Sequence, residues 1–219
     1  MGKADFRLYV VVEEGRRRPD AAEQAQAAIE GGATVVQWSG GAGSTRMQVE
    51  LGRRLAEVAR QGGVPLIVGG RVDVTVAVGA DGVLLGPEDM PADLARRIVG
   101  SDAVVGVLAR EPGEVHAAAR QGADFVLYTG SVEAVAGSVP IPIVAGQVRH
   151  PEEAAQAVQA GAQGVAVTAR HIRGGDVGAV CRAFVEALRR AASQAQQFAA
   201  GARPLITEPP FGDGRPGFL

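Results

Sequence analysis

The sequence predicts a (β/α)8 barrel, a parallel eight-stranded α/β fold of the TIM-barrel type. One observation is a repeat, since Gly-Ala precedes a β-branched apolar run around Ala33, Ala80, Ala123 and Ala162. The glycine suits the left-handed end of a helix, and the run has the hydrophobicity of a strand buried on both faces. The other observation is that further short apolar runs lie between the repeats, separated by helical patterns. Strict alternation of strands and helices predicts parallel pairing with right-handed crossovers.

Eight strands are predicted along the chain. The four repeats supply every second strand, and the segments RLYVVV, PLIV, AVVGVL and IPIVAG supply the others. Eight strand–helix units in a chain of this length favour a closed barrel over an open sheet. The predicted strands are 7–12, 33–38, 65–68, 82–85, 103–108, 124–128, 141–145 and 164–168.

Helical patterns fill the intervals between the strands. Residues 20–30 and 45–60 are amphipathic and rich in strong helix formers. Residues 129–140 are too few for a good helix, so the sixth helix is predicted to be rudimentary, whereas 176–198 predicts a long last helix. Three of the later helices are predicted to open with a proline in the first turn, at Pro91, Pro112 and Pro151.

The barrel is assigned to residues 1–198, and residues 199–219 form a tail rich in proline and glycine. Such a composition is typical of a disordered segment. Phe211 and Phe218 also allow the tail to dock onto a neighbouring subunit, so a homo-oligomer formed through the tail is the alternative.

Composition excludes several functional classes. The net charge of −2 gives no reason to expect nucleic acid or an anionic membrane as a partner. No apolar run reaches the roughly 18 residues of a membrane span, and a cytoplasmic protein is expected. Lys3 is the only lysine and lies in the leading residues, which excludes a Schiff-base mechanism. Cys181 is the only cysteine and lies on the apolar face of the last helix, as a core residue does.

Three segments carry a family resemblance through their order and spacing. They are AIEGGATVVQ, VPLIVGGRVDVTVAVGADGVLLGPEDMP and HPEEAAQAVQAGAQGVAV. With them the chain resembles the thiamine-phosphate synthase family, which includes the TenI-type thiazole tautomerases. The resemblance implies a phosphate-binding TIM barrel. A synthase of this family joins a pyrimidine diphosphate to a thiazole phosphate, uses magnesium and releases diphosphate.

The resemblance also implies site residues, and several are replaced in this chain. Gln37 is kept after the second strand, but Ser39 and Gly41 stand where the family has the basic residues that hold diphosphate. Gly69 and Gly70 stand where a synthase has the Asn-Asp pair that contacts the pyrimidine and magnesium. The lysine that ends the family's sixth loop is absent from the corresponding segment here.

The ends of the fourth and fifth strands can be compared with the family in the same way. Asp89 is kept as the family's second metal ligand, and it is the weak candidate for binding magnesium, the only cofactor considered. Glu88 and Asp89 also suit the first turn of the following helix, whose dipole favours acids there. Leu108 and Arg110 stand where the fifth strand of the family carries polar residues, and the proposed tautomerase histidine aligns with Arg110.

The replacements predict negligible synthase activity. A diphosphate carries about three negative charges and needs fixed cations or magnesium to bind and to leave. Losing one such donor commonly costs about 10²- to 10³-fold in rate. Arg71 and Asp73 open the third helix and are predicted to form an internal ion pair or a cap rather than to act in catalysis.

A phosphate cup is predicted to survive at the last two strand ends. Backbone N–H groups hold a phosphate monoester without side-chain help, and Gly146, Gln147, Thr168 and Ala169 are the candidates. Trp38 is predicted to make the mouth of the barrel more apolar. Arg149 and Arg170 can add positive charge, and His150 and His171 are weak acid–base candidates because histidine is the side chain most often used in general acid–base catalysis.

Three functions remain open at this point. The first is a tautomerase-like enzyme of thiazole phosphate, for which Arg110 is a poor proton-transfer group because a guanidinium has only hydrogen-bond donors and no acceptor. The second is a non-catalytic relative that binds a small phosphorylated ligand. The third is a barrel enzyme of unrelated chemistry built on His150, His171 or Asp89.

Overall fold

The computed structural model describes residues 4–14, 20–41, 43–169 and 176–201, with side chains as far as residue 194. Eight parallel strands close into one barrel in chain order, which confirms the predicted (β/α)8 fold. The strands are β1 (Leu8–Val12), β2 (Val35–Trp38), β3 (Leu66–Gly69), β4 (Gly82–Leu85), β5 (Val104–Ala109), β6 (Phe125–Tyr128), β7 (Ile143–Ala145) and β8 (Gly164–Thr168).

Helices surround the barrel on its outside. The segment between β6 and β7 contains a 3-10 turn, Val132–Ala134, where the other connections have an α-helix. None of the described helices combines the length and the hydrophobicity needed to cross a membrane. The helices are α1 (Ala21–Glu30), α2 (Thr45–Gly62), α3 (Val72–Val78), α4 (Ala92–Val99), α5 (Pro112–Arg120), α6 (Pro151–Gln159) and α7 (Val177–Gly201).

The strand bounds agree with the predicted ones to within two residues, and β2 shows why the ends differ. Its strand was expected to start at Ala33 but begins at Val35. The N–H of Ala33 donates to the carbonyl of Ala28 at 2.9 Å and so closes the end of α1. Ala33 is therefore used by the helix end and not by the sheet.

The barrel encloses one apolar core, and a second apolar layer lies between strands and helices. Phe6, Tyr9 and Phe125 fill the lower part of the lumen, where the rings of Phe6 and Phe125 stack at 4.4 Å. Gly106 gives them room, because a Cβ at this position would collide with the Phe125 ring. In the outer layer, Cys181 is 1% exposed, as expected for a core residue.

The sequence repeat has a structural function at the amino-terminal end of the barrel. Four residues that follow the Gly-Ala pairs each accept a hydrogen bond, through the side chain, from the N–H of the first or second residue of the preceding odd-numbered strand. Each also donates its own N–H to the carbonyl of that same residue. We call these paired contacts strand clamps. The clamps are Thr34 with Leu8 at 2.9 Å, Asp81 with Leu66 at 2.8 Å, Asp124 with Val105 at 2.8 Å, and Gln163 with Ile143 at 2.7 Å.

Candidate functional site at the carboxyl ends of the strands

The candidate site lies where the loops that follow the barrel strands converge. The strand register places Val11 of β1 between Gln37 of β2 and Thr168 of β8. Gly69 ends β3, and Gly146 directly follows β7. The structure therefore brings four of the predicted site residues, Gln37, Gly69, Gly146 and Thr168, to the same end of the barrel.

Gln37 occupies space that a longer side chain at Gly69 would need. A Cβ built on Gly69 would lie 3.2 Å from Gln37 Nε2 and 3.3 Å from the Cα of Ser39. Gln37 is only 6% exposed, and its Oε1 is buried without a hydrogen-bond partner among the described residues. An unpaired buried acceptor costs about 1–3 kcal/mol. This oxygen is therefore a candidate acceptor for an N–H or O–H group of a ligand.

Asp89 lies beside Gly70, the other glycine at the end of β3. A Cβ on Gly70 would lie 3.1 Å from Asp89 Oδ2 and 3.2 Å from Oδ1, and Gly70 has a left-handed φ of 67°. Asp89 Oδ2 also accepts a hydrogen bond from the Gly86 N–H at 2.7 Å. The Asp89 carboxylate thus holds together the loop that follows β4. It also faces Gly70, the position at which the resemblance implies a second carboxylate.

The donors around Asp89 decide whether magnesium fits this site. Mg²⁺ requires near-octahedral oxygen coordination at about 2.0–2.1 Å, usually with one or two carboxylates besides substrate phosphates. Asp89 supplies one carboxylate and Gly70 supplies none. Within the described ranges, no three His, Cys, Asp or Glu side chains are grouped so that they could hold a metal ion. The residues present therefore do not fit a two-carboxylate magnesium site.

Glu14 brings a negative charge to a position where the resemblance implies a cation. A Cβ on Gly41 would collide with Glu14 Oε2, so the carboxylate lies against the backbone of Gly41. Glu14 is exposed and follows the end of β1. Sequence analysis missed this residue, although its position just after a strand was a signal that it belongs to the mouth. Its charge makes this side of the mouth unfavourable for a polyanion.

Arg71 is bound to neighbouring side chains. Its Nε and Nη2 donate to the two carboxylate oxygens of Asp73 at 2.8 and 2.7 Å, and its Nη1 donates to Gln48 Oε1 at 2.7 Å. Gln48 Nε2 donates in turn to the carbonyl of Gly41 at 2.8 Å. The Arg71 guanidinium lowers the pKa of Asp73 to about 2. Arg71 therefore links the loops after β2 and β3, and the expected ion pair with Asp73 is present.

Gly146 has a packing role at the end of β7. Its N–H donates to the carbonyl of Tyr128 at 2.7 Å, so this N–H is already used within the barrel. A Cβ on Gly146 would lie 2.9 Å from side-chain atoms of Leu127 and Thr129. The prediction that Gly146 contacts phosphate through its N–H is corrected by this geometry. Gly146 instead allows the end of β7 to pack closely against the end of β6.

The donors of the β7 loop instead come after Gly146. Gln147 has a φ of 61° and is the one described non-glycine residue with a left-handed backbone. The N–H groups of Gln147 and Val148 have no acceptor among the described residues. Successive N–H groups around a left-handed residue form a concave anion-binding nest. Gln147, itself one of the predicted cup residues, therefore keeps its place in the predicted phosphate cup, with Val148 as a further candidate donor.

Other predicted site residues fall at the edge of the mouth or outside the described residues. Thr168 is half-buried and Ala169 is buried, both directly at the end of β8. The N–H of His150 donates to Glu153 Oε2 at 3.3 Å, and the His150 ring is exposed. Arg110 is also exposed, and its N–H donates to a glutamate of α5 at 2.6 Å. His171, together with Arg170 and the tail from residue 202 onward, lies outside the described residues.

Trp38 does not line the mouth, which corrects its predicted role. Neighbouring residues of a strand point to opposite faces, and since Gln37 points inward, Trp38 points outward. It is 1% exposed in the layer between strands and helices. A Cβ on Gly52 of α2 would lie 3.1 Å from its ring. Trp38 therefore packs β2 against α2.

The fold and this mouth define a TIM-barrel protein whose candidate ligand site lies at the carboxyl ends of the strands. Residues 8–134 match the family model described as thiamine monophosphate synthase. The thiamine-phosphate synthase of Chloroflexus aurantiacus is 39% identical over 81% of this chain and 90% of its own length. That of Moorella thermoacetica is 36% identical over 84% and 96%. The chain belongs to the thiamine-phosphate synthase family.

A solved structure supports the same assignment. Thiamine phosphate pyrophosphorylase from Pyrococcus furiosus superimposes with a TM-score of 0.78 at 29% sequence identity. The match covers 86% of this chain and 98% of that protein. The likeness therefore extends over nearly the whole barrel of the solved relative and is not confined to one half of it.

Proposed function

We propose that this chain acts in thiamine metabolism, in the cytoplasm, by binding a small phosphorylated ligand of the thiazole phosphate or thiamine phosphate type. We propose further that it lacks thiamine-phosphate synthase activity. The observation that carries the second proposal is the carboxylate of Glu14 against Gly41, at a position where a synthase of this family has a basic residue.

Electrostatics support the loss of synthase activity. Two unit charges about 4 Å apart interact by roughly 1 kcal/mol in water and about 4 kcal/mol near a protein surface. Exchanging a cation for Glu14 converts an attraction of that size for each phosphate charge into a repulsion. Arg71 is bound by Asp73 and Gln48, and Asp89 has no second carboxylate at Gly70. A diphosphate leaving group therefore lacks the compensation that it requires.

A phosphate monoester makes smaller demands. It carries fewer charges, and backbone N–H groups alone hold such anions in many barrels. The N–H groups of Gln147 and Val148, which have no acceptor in the described part of the chain, supply two donors. Gln37 Oε1 at the end of β2 supplies an acceptor that has no partner among the described residues. A ligand with a phosphate at one end and a hydrogen-bond donor at the other would satisfy both.

An active synthase is the second candidate, because the similar proteins of Chloroflexus aurantiacus and Moorella thermoacetica are named thiamine-phosphate synthases. Thiazole tautomerase activity and unrelated chemistry are further candidates of the same barrel. Arg110 remains a poor proton-transfer group for a tautomerase because its guanidinium has only hydrogen-bond donors and no acceptor. The proposal also includes a homo-oligomer in which the tail, residues 199–219, docks onto a neighbouring subunit.

Calorimetric titration tests the proposal. Thiazole phosphate, thiamine phosphate and the pyrimidine diphosphate are titrated separately, each with and without Mg²⁺, and product formation is measured in parallel. We expect magnesium-independent binding of a monophosphate and no turnover. Magnesium-dependent binding of the pyrimidine diphosphate followed by thiamine phosphate formation would establish the synthase instead. Absence of binding by all three compounds would refute the phosphate-ligand proposal.

A matched pair of variants locates the phosphate. Gln147→Asp and Gln147→Asn both accept a left-handed backbone more readily than most residues, but only the first adds a negative charge. We expect Gln147→Asp to weaken monophosphate binding at least about tenfold, which corresponds to one repulsive contact of about 1.4 kcal/mol. Gln147→Asn should bind like the unmodified protein. Equal binding by both variants would show that the phosphate does not lie at this loop.

A further inference from the structure

An apolar cavity lies at the amino-terminal end of the barrel, between the helices α6 and α7 and the starts of β1 and β8. Its volume is about 240 Å³. A cavity of about 150 Å³ already accepts a molecule as large as benzene, so this one has room for one or two apolar side chains. The apolar part of its lining consists of Leu8, Val158, Ala162, Val185, Leu188 and Ala192.

Two polar side chains in the lining are already hydrogen-bonded through their strand clamps. Thr34 Oγ1 also donates to the carbonyl of Leu8 at 3.1 Å. Gln163 uses Oε1 in its clamp and donates through Nε2 to the carbonyl of Gly161 at 2.7 Å. An apolar side chain can therefore enter the cavity without depriving these groups of their partners.

One arginine at the rim of the cavity is available for an acidic partner. Arg189 of α7 lines the cavity and is exposed. It has neither an ion pair nor a hydrogen bond with another residue in the described part of the chain. Arg7, the other arginine in the lining, is held by the carboxylate of Asp5. The cavity therefore suits an apolar segment that carries an acid.

The chain itself supplies such a segment close to the cavity. The helix α7 contributes Ala192 to the lining and continues to Gly201, about 14 Å further along the helix axis. Helices usually end at or before the residue that precedes a proline, and Pro204 follows Gly201 closely. The next residues are Leu205-Ile206-Thr207-Glu208, which combine two apolar side chains with an acid.

The reach of the chain allows this segment to return to the cavity. The four residues from Gly201 to Leu205 span about 13 Å when extended, so a chain that turns back beside α7 brings Leu205 to the level of Ala192. Glu208 then lies about 10 Å further along, near the level of Val185. The side chain of a helical residue covers the turn that precedes it, so the Arg189 guanidinium reaches the same level.

We propose that residues 205–208 dock onto their own barrel at this cavity, with Leu205 inside it and Glu208 paired with Arg189. A short connection gives the segment an effective concentration in the millimolar range, which favours its own barrel over a second copy at micromolar protein. Phe211 and Phe218 stay outside the cavity and remain available to a neighbouring subunit. The cavity lies at the opposite end of the barrel from the mouth, so the docking does not depend on the ligand that the mouth binds.

Thiol alkylation of the full chain tests the docking. Leu205→Cys places a thiol in the cavity, and Phe218→Cys places one outside it in the same tail. A docked thiol reacts only through its undocked fraction, so we expect iodoacetamide at about pH 8 to modify Leu205→Cys at least about tenfold more slowly. In urea the two thiols should react at the same rate. Peptide mass spectrometry separates each introduced thiol from Cys181.

Charge reversals on α7 give a matched pair of variants in the Leu205→Cys background. Arg189 and Arg190 are both exposed, but Arg190 does not line the cavity. Arg189→Glu turns the attraction to Glu208 into a repulsion and should speed alkylation at least about threefold at low salt. Arg190→Glu should leave the rate unchanged to within about twofold.

A variant that blocks the cavity gives a test that does not depend on charge. Ala192 lies in the lining and is exposed, so Ala192→Trp obstructs the entrance without entering the core. It should raise the alkylation rate of Leu205→Cys to that of Phe218→Cys. Circular dichroism verifies that every variant folds.

Dilution distinguishes the chain's own barrel from a second copy. Protection of Leu205→Cys that stays constant between about 0.5 and 50 μM protein supports docking within one chain. Protection that is lost on dilution would assign the segment to a second copy and overturn the proposal. Equal alkylation of Leu205→Cys and Phe218→Cys in the folded protein would overturn it as well, and so would equal effects of Arg189→Glu and Arg190→Glu.

Discussion

Gly70→Asp returns a carboxylate to the position that faces Asp89, and its consequences can be worked out from the distances. The new Cβ would lie 3.1 Å from Asp89 Oδ2, so the two carboxylates would be within about 4 Å of each other, where like charges repel by roughly 1–4 kcal/mol. Asp89 is exposed and can move, which favours the lower end. We expect Gly70→Asp to lower the free energy of unfolding by about 1–2 kcal/mol through charge repulsion alone.

Backbone strain must be separated from this repulsion. Gly70 has a φ of 67°, and any residue with a side chain is strained there, by about 1–2 kcal/mol. Gly70→Asn has nearly the same shape and strain but no charge, so it is the matched control. The difference between the two variants measures the repulsion between carboxylates.

The pH dependence of that difference has a definite sign. Repulsion raises the folded-state pKa of the carboxylate pair above the unfolded value, so the charged pair destabilises the folded state at neutral pH. The penalty disappears as the pH falls below about 4, where the carboxylates are protonated. Gly70→Asp and Gly70→Asn should therefore become equally stable in acid.

Urea denaturation with and without Mg²⁺ completes the experiment. Two facing carboxylates form a better magnesium site than one. If the ion binds Gly70→Asp with a Kd of about 1 mM, 10 mM Mg²⁺ raises its unfolding free energy by about 1.4 kcal/mol. The unmodified protein and Gly70→Asn should gain much less.

Two outcomes would contradict this reasoning. Equal stability of Gly70→Asp and Gly70→Asn at pH 7 without magnesium would mean that Asp89 does not face Gly70 in solution. An equal gain from magnesium in the unmodified protein would mean that Asp89 already binds the ion with other donors. In that case the missing carboxylate at Gly70 would no longer count against a metal-dependent synthase, and Glu14 would be the remaining support for the loss of activity.

Two further predictions concern the scaffold. Asp81→Ala removes the acceptor of the buried Leu66 N–H, so we expect urea denaturation to show a loss of about 1–3 kcal/mol in the free energy of unfolding. Asp81→Asn keeps a side-chain oxygen at this position and should lose less than half as much. Equal losses in the two variants would contradict the role of the strand clamp. Burial raises the pKa of the Cys181 thiol to about 12 from an ordinary value near 9. Iodoacetamide should therefore modify it only in urea at pH 8. Because the thiol of the unfolded chain ionises at a lower pH than the buried thiol, the stabilisation that comes from keeping Cys181 protonated is complete below pH 9 and falls as the pH rises toward 12. Rapid alkylation of the folded protein would refute the burial of Cys181.

The barrel could be predicted from the sequence because its signals are local and repeated. Each Gly-Ala repeat marks a helix end and a strand start, and eight such alternations leave few other topologies. The role of Asp81 in a strand clamp could not be read from the same repeat. Thr34 and Gln163 occupy the equivalent positions but differ from Asp81 in charge and shape. The three side chains share only an oxygen atom that can reach an N–H of the preceding strand. Spacing shows the position, but only coordinates show that one oxygen accepts from the neighbouring strand.

The site was harder to predict because side-chain direction and loop contacts decide it. Trp38 was expected at the mouth, but a strand alternates its faces, and Gln37 already pointed inward; the alternation was available in the sequence and would have placed Trp38 correctly. The use of the Gly146 N–H within the barrel was not available, because it depends on how the ends of β6 and β7 meet. Glu14 was partly predictable. Its position just after β1 indicated that it lies at the mouth, but nothing in the sequence indicated its contact with Gly41.

Glu14 and the two glycines Gly69 and Gly70 lie where a change of residue leaves the family barrel intact. The strand clamps and the apolar lumen lie at the lower and middle levels of the barrel and contain none of the replaced residues. The replacements are confined to the upper rim, where loops carry ligand contacts without contributing to the core. The charge of Glu14 is therefore compatible with stability, and the proposal that the mouth takes a phosphate monoester rather than a diphosphate depends on that charge.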